Sequence, residues 1–410
     1  MSSKKKQISQ LLHSDPSSPI EHGSLHQPIH TSVAYGYAES RDIASVFQGK
    51  SSGYSYGRAS NPTVAALERK ITLLEDGISS CCFSSGMAAI SATMLTLLQS
   101  GDHLISSSFL FGNTNSFFNT LTTFGIEVTF VDATDVKNIE EAIQANTKAV
   151  FVETIANPRT QVSDLANIGD LCEQKRLLYI VDNTLTTPAL FQPKKVKAGL
   201  VINSLTKYIG GHGNALGGAV TETGFFDWAQ YSNIYDTYKK GDVNTWGILQ
   251  IRKKGLRDMG ATLSAEAAHH LAIGAETLSF RIKQSSSNAM KLAQFFNGHP
   301  MINQVFYPGL ANHPGHTLAT DLFSNYSSLM SIELNDSIDC FDFLNKLQLV
   351  ITASNLGDNR TLAIPVAHTI FYEMGAERRA SMGISEGLIR LSIGIEDSED
   401  LLNDFRLALD

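Results

Sequence analysis

The sequence predicts an α/β fold: a large domain on a mostly parallel sheet, followed by a smaller α+β domain. Three observations carry this. From residue 61 onward, short apolar runs alternate with stretches of helical periodicity, the pattern of a parallel sheet covered on both faces. Polar residues gather immediately after those runs, where open α/β sheets place their ligands. Beyond about residue 261 the alternation gives way to one long helical region and then a few separated strands.

The elements follow in order. Residues 1–60 are rich in Ser, His, Gly and Tyr without sustained periodicity, which predicts an extended arm with a short helix. In "NPTVAALERKITLLEDG", Asn61 caps, Pro62 opens the first turn, and Val64, Leu67, Ile71 and Leu74 recur at helical spacing. Gly77 is expected to end that helix. Strands are predicted at "SSCCF", "HLISS", "EVTFV", "KAVFVE", "LLYIVDN", "GLVINS" and "LGGAVTE", the first five alternating with helices. A helical region is expected from near Leu263 to about Phe296, then strands "LMSIEL", "LVITAS" and "LIRLSIGI". The expected divisions are 1–60 (arm), 61–260 (large domain) and 261–410 (C-terminal domain).

Composition narrows the function. Of 410 residues, 43% are hydrophobic and 18% charged, an ordinary globular balance, and the net charge of −8 argues against nucleic acid as the main partner. Cys81, Cys82, Cys172 and Cys340 form no CxxC pair and have no His at zinc spacing, so neither a metal nor a disulfide framework is expected. A reduced, cytoplasmic setting fits. The lysines near the N-terminus are not followed by an apolar stretch, so no secretory signal is expected. No run approaches membrane-spanning length.

The polar residues after the predicted strands converge on one chemistry. They are Ser84, Ser85 and Gly86; Glu153 and Asn157; Asp182 and Asn183; and Ser204, Thr206 and Lys207. Small residues where a strand turns into a helix, as in "SSGMAAI", leave backbone N–H groups free for a phosphate, although the same residues also make ordinary turns. An Asp at a strand end is commonly a cap, and a lone lysine is commonly solvated. Together, a lysine, a carboxylate one strand upstream and a phosphate cup are the parts that pyridoxal 5'-phosphate requires.

These stretches have a family likeness. "YGRASNPTVAALERKITLLE", "FSSGMAAI", "ETIANPR", "IVDNTLTTPALFQP", "NSLTKYIGGHG", "GLRDMGATLS" and "GISEGLIRLSIGIED" occur in the order that resembles the Cys/Met-metabolism PLP-dependent enzymes, the cystathionine γ-synthase-like branch of fold type I. The resemblance runs from about Gly23 to the C-terminus. It implies that Lys207 binds the cofactor covalently and moves protons. It implies that Asp182 pairs with the ring nitrogen and that Asn157 lies near the ring oxygen. Gly86, Met87, Ser204 and Thr206 would hold the phosphate. Tyr56 and Arg58 would reach a neighbouring subunit's cofactor, making a homodimer or homotetramer with shared sites, and Tyr56 is also a candidate catalytic group. Arg390, with Asn355 nearby, would bind the substrate carboxylate. From the strand pattern alone, Arg390 alternates with Ile389, Leu391, Ile393 and Ile395 and would point to water.

Two departures bear on the reaction. Phe111 stands where the family usually stacks a tyrosine on the cofactor, so that hydroxyl is absent, and Asn113 stands where γ-lyases often carry cysteine. "SNLGDNRTL" is nearer the O-acylhomoserine sulfhydrylases, whereas "GISEGLIRLSIGIED" is nearer the γ-lyases. The resemblance therefore implies chemistry at the γ-carbon of a homoserine-derived amino acid, with replacement by sulfide or a thiol favoured over elimination. Two other readings stay open: a serine hydrolase through "GYSYG" (Gly53–Gly57), which needs a strand before and a helix after, and a cofactor-binding protein without turnover.

Overall fold

In a computed structural model, which describes residues 6–14 and 21–410, two sheets organise the chain. Part of the expected arm, residues 1–5 and 15–20, lies outside the described residues. The first sheet has seven strands, β1 (Ser79–Phe83), β2 (His103–Ser107), β3 (Glu127–Val131), β4 (Thr147–Glu153), β5 (Leu178–Asp182), β6 (Leu200–Asn203) and β7 (Gly218–Glu222). Their order is β1-β7-β6-β5-β4-β2-β3. From β6 to β3 all neighbours are parallel, and β7 runs antiparallel between β6 and β1. The strands read as apolar runs because both faces are covered: one cluster holds Val150, Val152, Val181 and Val201, the other Phe151, Ile180, Leu200 and Ile202.

The smaller sheet has the order β10-β11-β12-β9-β8, with β8 (Ile302–Phe306), β9 (Leu329–Leu334), β10 (Ile351–Thr352), β11 (Leu362–Pro365) and β12 (Leu388–Ser392). Its core packs Ile332, Ile389 and Leu391 against Phe296 and Phe405 of two helices. The predicted α/β architecture with a second, smaller sheet is what the chain forms.

Several details differ from expectation. The arm carries two short helices, Gln7–Leu12 and Ser40–Phe47. Asn61 does cap the helix Pro62–Leu74, accepting from the N–H groups of Thr63 and Val64. The left-handed residue after that helix is Asp76 (φ 51°), not Gly77; a short polar side chain tolerates this conformation. The long helical region breaks at Thr277 into Ala265–Glu276 and Leu278–Phe296. "LVITAS" yields only two strand residues, and β8 and β11 were not expected. The backbone before "GYSYG" is a helix and a loop, and Tyr56 makes only an isolated bridge to Ala34, so the strand–turn–helix context of a nucleophile elbow is missing.

Candidate active site

The carboxyl ends of β4, β5 and β6 open onto a cavity of about 810 Å³, within the range that buries a small ligand. It takes in ten of the twelve expected site residues: Gly86, Met87, Phe111, Asn157, Asp182, Ser204, Thr206, Lys207, Asn355 and Arg390. Tyr56 and Arg58 are outside it. They are exposed and line a separate hollow of about 380 Å³ with His30, Gly260 and Thr262.

The cavity wall nearest β1 is a helix start. Ser85 caps Gly86–Leu97 by accepting from the Ala88 N–H at 3.1 Å. The N–H groups of Gly86 and Met87, in the first turn, have no carbonyl within the helix to bond. A Cβ on Gly86 would meet the Ser204 Cβ at 2.8 Å, so the close approach of helix start and lysine turn requires glycine. Ser204 donates its N–H to the Thr184 hydroxyl at 2.8 Å, tying the β5 and β6 ends together. The Thr206 hydroxyl is engaged with Gly217, donating to its carbonyl (3.2 Å) and accepting from its N–H (2.9 Å).

Lys207 follows β6 in a turn clamped from a distant helix. Arg281, on the helix Leu278–Phe296, donates to the carbonyls of Tyr208 (2.6 Å), Ile209 (2.9 Å) and Gly274 (2.7 Å). The Lys207 amine donates to Asn355 Oδ1 at 2.7 Å. Burial, with the Arg390 charge adding to it, lowers its pKa to about 8, so a useful fraction is neutral and nucleophilic near physiological pH. Asp182 Oδ1 accepts from the Thr184 N–H at 3.0 Å, and burial lifts its carboxyl to about 6. Asn157 is buried, and its Oδ1 has no hydrogen-bond partner. A buried acceptor in that state implies a missing partner.

Arg390 corrects the strand-pattern expectation that it meets water: it is 2% exposed. β12 lies between β11 and β9 with both faces covered, so alternation there does not separate core from solvent. Nη2 donates to the carbonyls of Ser354 (2.9 Å) and Asn355 (3.0 Å), while Nε has no partner. Burial pulls its pKa down to about 10, still well above neutral. A buried cation with donors to spare suits a carboxylate.

The rim differs from these walls. Phe111 (38% exposed), Asn113, Leu216 (65% exposed) and Ile370 line the mouth. The strand-end search did not find Leu216 and Ile370: Leu216 is expected as the first residue of the strand "LGGAVTE", which begins only at Gly218, and Ile370 lies in an irregular segment with no periodicity to mark it. Thr184, which joins Asp182 to Ser204, was also missed; its place two residues past a strand end was the available signal. Amine, carboxyl and helix start together fit an aromatic aldehyde bearing a phosphate.

The model of the Cys/Met metabolism PLP-dependent enzymes matches residues 9–410. An L-methionine gamma-lyase of Fusobacterium nucleatum subsp. polymorphum is 36% identical over 393 residues, covering 95% of this chain and 94% of that one. An O-acetyl-L-homoserine sulfhydrylase of Corynebacterium glutamicum is 33% identical over 411 residues, covering 96% and 94%. A solved structure from Campylobacter jejuni subsp. jejuni, assigned as an O-acetylhomoserine (thiol)-lyase, superposes with a TM-score of 0.92 at 34% identity, covering 99% of this chain and 100% of that one. It carries N'-pyridoxyl-lysine-5'-monophosphate. The chain thus belongs to the Cys/Met metabolism PLP-dependent enzymes, and its cofactor is pyridoxal 5'-phosphate.

Proposed function

We propose that this enzyme replaces the γ-substituent of an O-acylhomoserine with sulfide or a thiol, using the cavity around Lys207. The observation that carries the choice is Phe111, which brings no hydroxyl to the rim: among the described residues the chain's own lining has no tyrosine, histidine or cysteine, and Tyr56 would enter only from a second copy. A carboxylate, whose conjugate acid has a pKa of about 4, leaves without a proton. A thiolate, whose conjugate acid lies at about 8.5 or above, gains from a general acid. This cavity is furnished for the first kind of leaving group.

The bound cofactor supplies an electron sink that makes the substrate's Cα–H acidic. The chain does the rest. Lys207 would hold the cofactor, and its amine, with a lowered pKa, would carry protons between substrate carbon atoms. Asp182 would pair with the ring nitrogen and keep it protonated. Asn157 would donate its side-chain N–H to the ring oxygen. Gly86, Met87, Ser204 and Thr206 would hold the phosphate, Thr206 by giving up its bond to the Gly217 carbonyl. Arg390 holds the α-carboxylate, and Asn355 lies between it and Lys207.

Elimination is the second reading, supported by the methionine gamma-lyase relative at 36% identity. One assay separates the two: purified enzyme offered O-acetylhomoserine, O-succinylhomoserine, cystathionine and methionine, with and without sulfide. Homocysteine formed from an ester and sulfide, faster than 2-oxobutanoate from any substrate, is the expected result. Rapid 2-oxobutanoate from methionine gives the elimination reading its place.

The exposed Tyr56 and Arg58, outside their own chain's cavity, support a site completed by a second copy, hence a dimer or a dimer of dimers. Arg58→Ala and Lys207→Ala, each inactive, should recover partial activity when mixed and reassembled. No recovery in a verified mixed dimer places Arg58 in its own chain's function.

A further inference from the structure

Two carboxyl groups stand side by side at the floor of the cavity, and the reaction above uses only one of them. Glu153 ends β4 and Asp182 ends β5, and the strand register sets them opposite each other. Both therefore emerge on the same face of the sheet. Glu153 is 8% exposed. Its Oε1 accepts the Phe111 N–H at 2.8 Å, and its carbonyl accepts from the Ser163 hydroxyl at 2.8 Å. Phe111 precedes the helix Gly112–Leu121, and its own side chain cannot cap it. Glu153 serves instead, from a different element, and so fixes where the Phe111 ring begins.

The pair also poses a charge problem. Neither carboxyl has an ion-pair partner among the described residues. The groups facing them are the helix start at Phe111, Lys207 and Arg390 around the same cavity, and Glu75 behind Asp182. Glu75 is fully buried, bonded by the amides of Asn183 and Asn203, and itself lifted to about 7 by burial. Two adjacent buried carboxylates do not both ionise near neutrality. Burial and then the Asp182 charge push Glu153 well above the usual carboxylate range, whereas Asp182 rises only to about 6. Asp182 is bonded by both the N–H and the side chain of Thr184, whereas the Glu153 carboxyl is bonded by the Phe111 N–H alone, so the pair's negative charge is favoured on Asp182.

We propose that Glu153 is a positioning residue for the cofactor: kept neutral, it pins the Phe111 turn and leaves the pair's single negative charge on Asp182, opposite the ring nitrogen. This rests on the site reading given above, in which Asp182 meets that nitrogen, and on the family likeness that sets Phe111 where a ring stacks on the cofactor. A neutral acid still accepts the Phe111 N–H through its carbonyl oxygen, so both tasks are compatible.

The test measures pyridoxal 5'-phosphate affinity of the cofactor-free protein from pH 5 to 9, with the circular dichroism induced in the bound cofactor. Glu153→Gln is neutral and keeps the acceptor. It should bind the cofactor like wild type, with the same induced signal and the same loss of affinity below about pH 6, where Asp182 takes up a proton. Glu153→Ala loses the acceptor for a buried N–H and should bind about tenfold more weakly, with an altered induced signal. If Glu153→Ala does not fold, the Gln variant and its pH profile decide. A loss in Glu153→Gln as large as in Asp182→Asn overturns the proposal, because Glu153 would then be supplying charge. Unchanged affinity and pH profile in Asp182→Asn removes the underlying site reading, and the proposal with it.

Discussion

The floor and the rim of the cavity are built by different rules. The floor is made of strand ends, and its polar side chains are held by short bonds: Lys207 to Asn355, Asp182 to Thr184, Glu153 to Phe111. The rim is made of loops and one helix start, and Phe111, Leu216 and Ile370 present apolar surface there, the first two largely exposed. The difference separates two tasks. On the proposed reading the floor would fix the cofactor and the steps that γ-carbon reactions share, while the rim would meet the leaving group and the incoming nucleophile. A floor mutation should therefore damage all substrates alike, and a rim mutation should discriminate between them.

The hardest blow to the floor is Lys207→Ala. It removes both the covalent attachment and the proton carrier, so kcat should fall by about 10⁴-fold or more on esters and thioethers alike. Borohydride reduction followed by peptide mapping should place the cofactor on Lys207 in wild type. An adduct on another lysine breaks the assignment.

Next comes Arg390→Ala. Truncating a buried cation that meets a carboxylate should raise KM by about 100-fold, again for every substrate class, with Arg390→Lys in between because an ammonium lacks the fork. Unaltered KM values would move the carboxylate site elsewhere.

Phe111→Tyr sharpens the comparison from the other side. A hydroxyl at the rim should raise kcat/KM for methionine and cystathionine, which need a proton on the leaving sulfur, and leave O-acylhomoserines nearly unchanged. A well-placed acid contributes about 10²–10⁴-fold; a grafted one without supporting bonds should give a small part of that. Equal change in both classes breaks the floor–rim division.

The smallest effect is a pH shift within the floor. Only the neutral Lys207 amine attacks an aldehyde, so the rate of cofactor loading should climb with pH and level off above about 8. The Arg390 charge is part of what lowers this pKa, so Arg390→Ala should move the midpoint upward. A stopped-flow pH profile on both proteins checks it, and an unmoved midpoint would uncouple the two residues.

The same division marks what could be read in the sequence. The floor was legible because parallel strands are unbroken apolar runs and the residues just past them fall at predictable places: Asp182, Ser204 and Lys207 were all found that way. Arg390 was misjudged by its strand pattern and reached only through family likeness, because a central strand buries both faces. The rim was largely illegible. Phe111 stood out only against the family pattern, and Ile370 comes from a stretch, "AHTIFY", whose position depends on contacts far away in the chain. The split at Thr277 was hidden for a related reason: apolar spacing continues across it, and only the packing of the two helices on different neighbours separates them.

Arg281 anchors the turn that carries Lys207. Its guanidinium bolts that turn to the helix Leu278–Phe296, whose first turns bury Leu278 and Ile282 in the core of the seven-stranded sheet and whose later turns bury Leu292 and Phe296 under the smaller sheet. One helix thus spans both cores. The lysine turn is braced against the strand end that precedes it, so the amine keeps its distance from Ser204 and Thr206, while the far end of the same helix meets the sheet that carries Arg390.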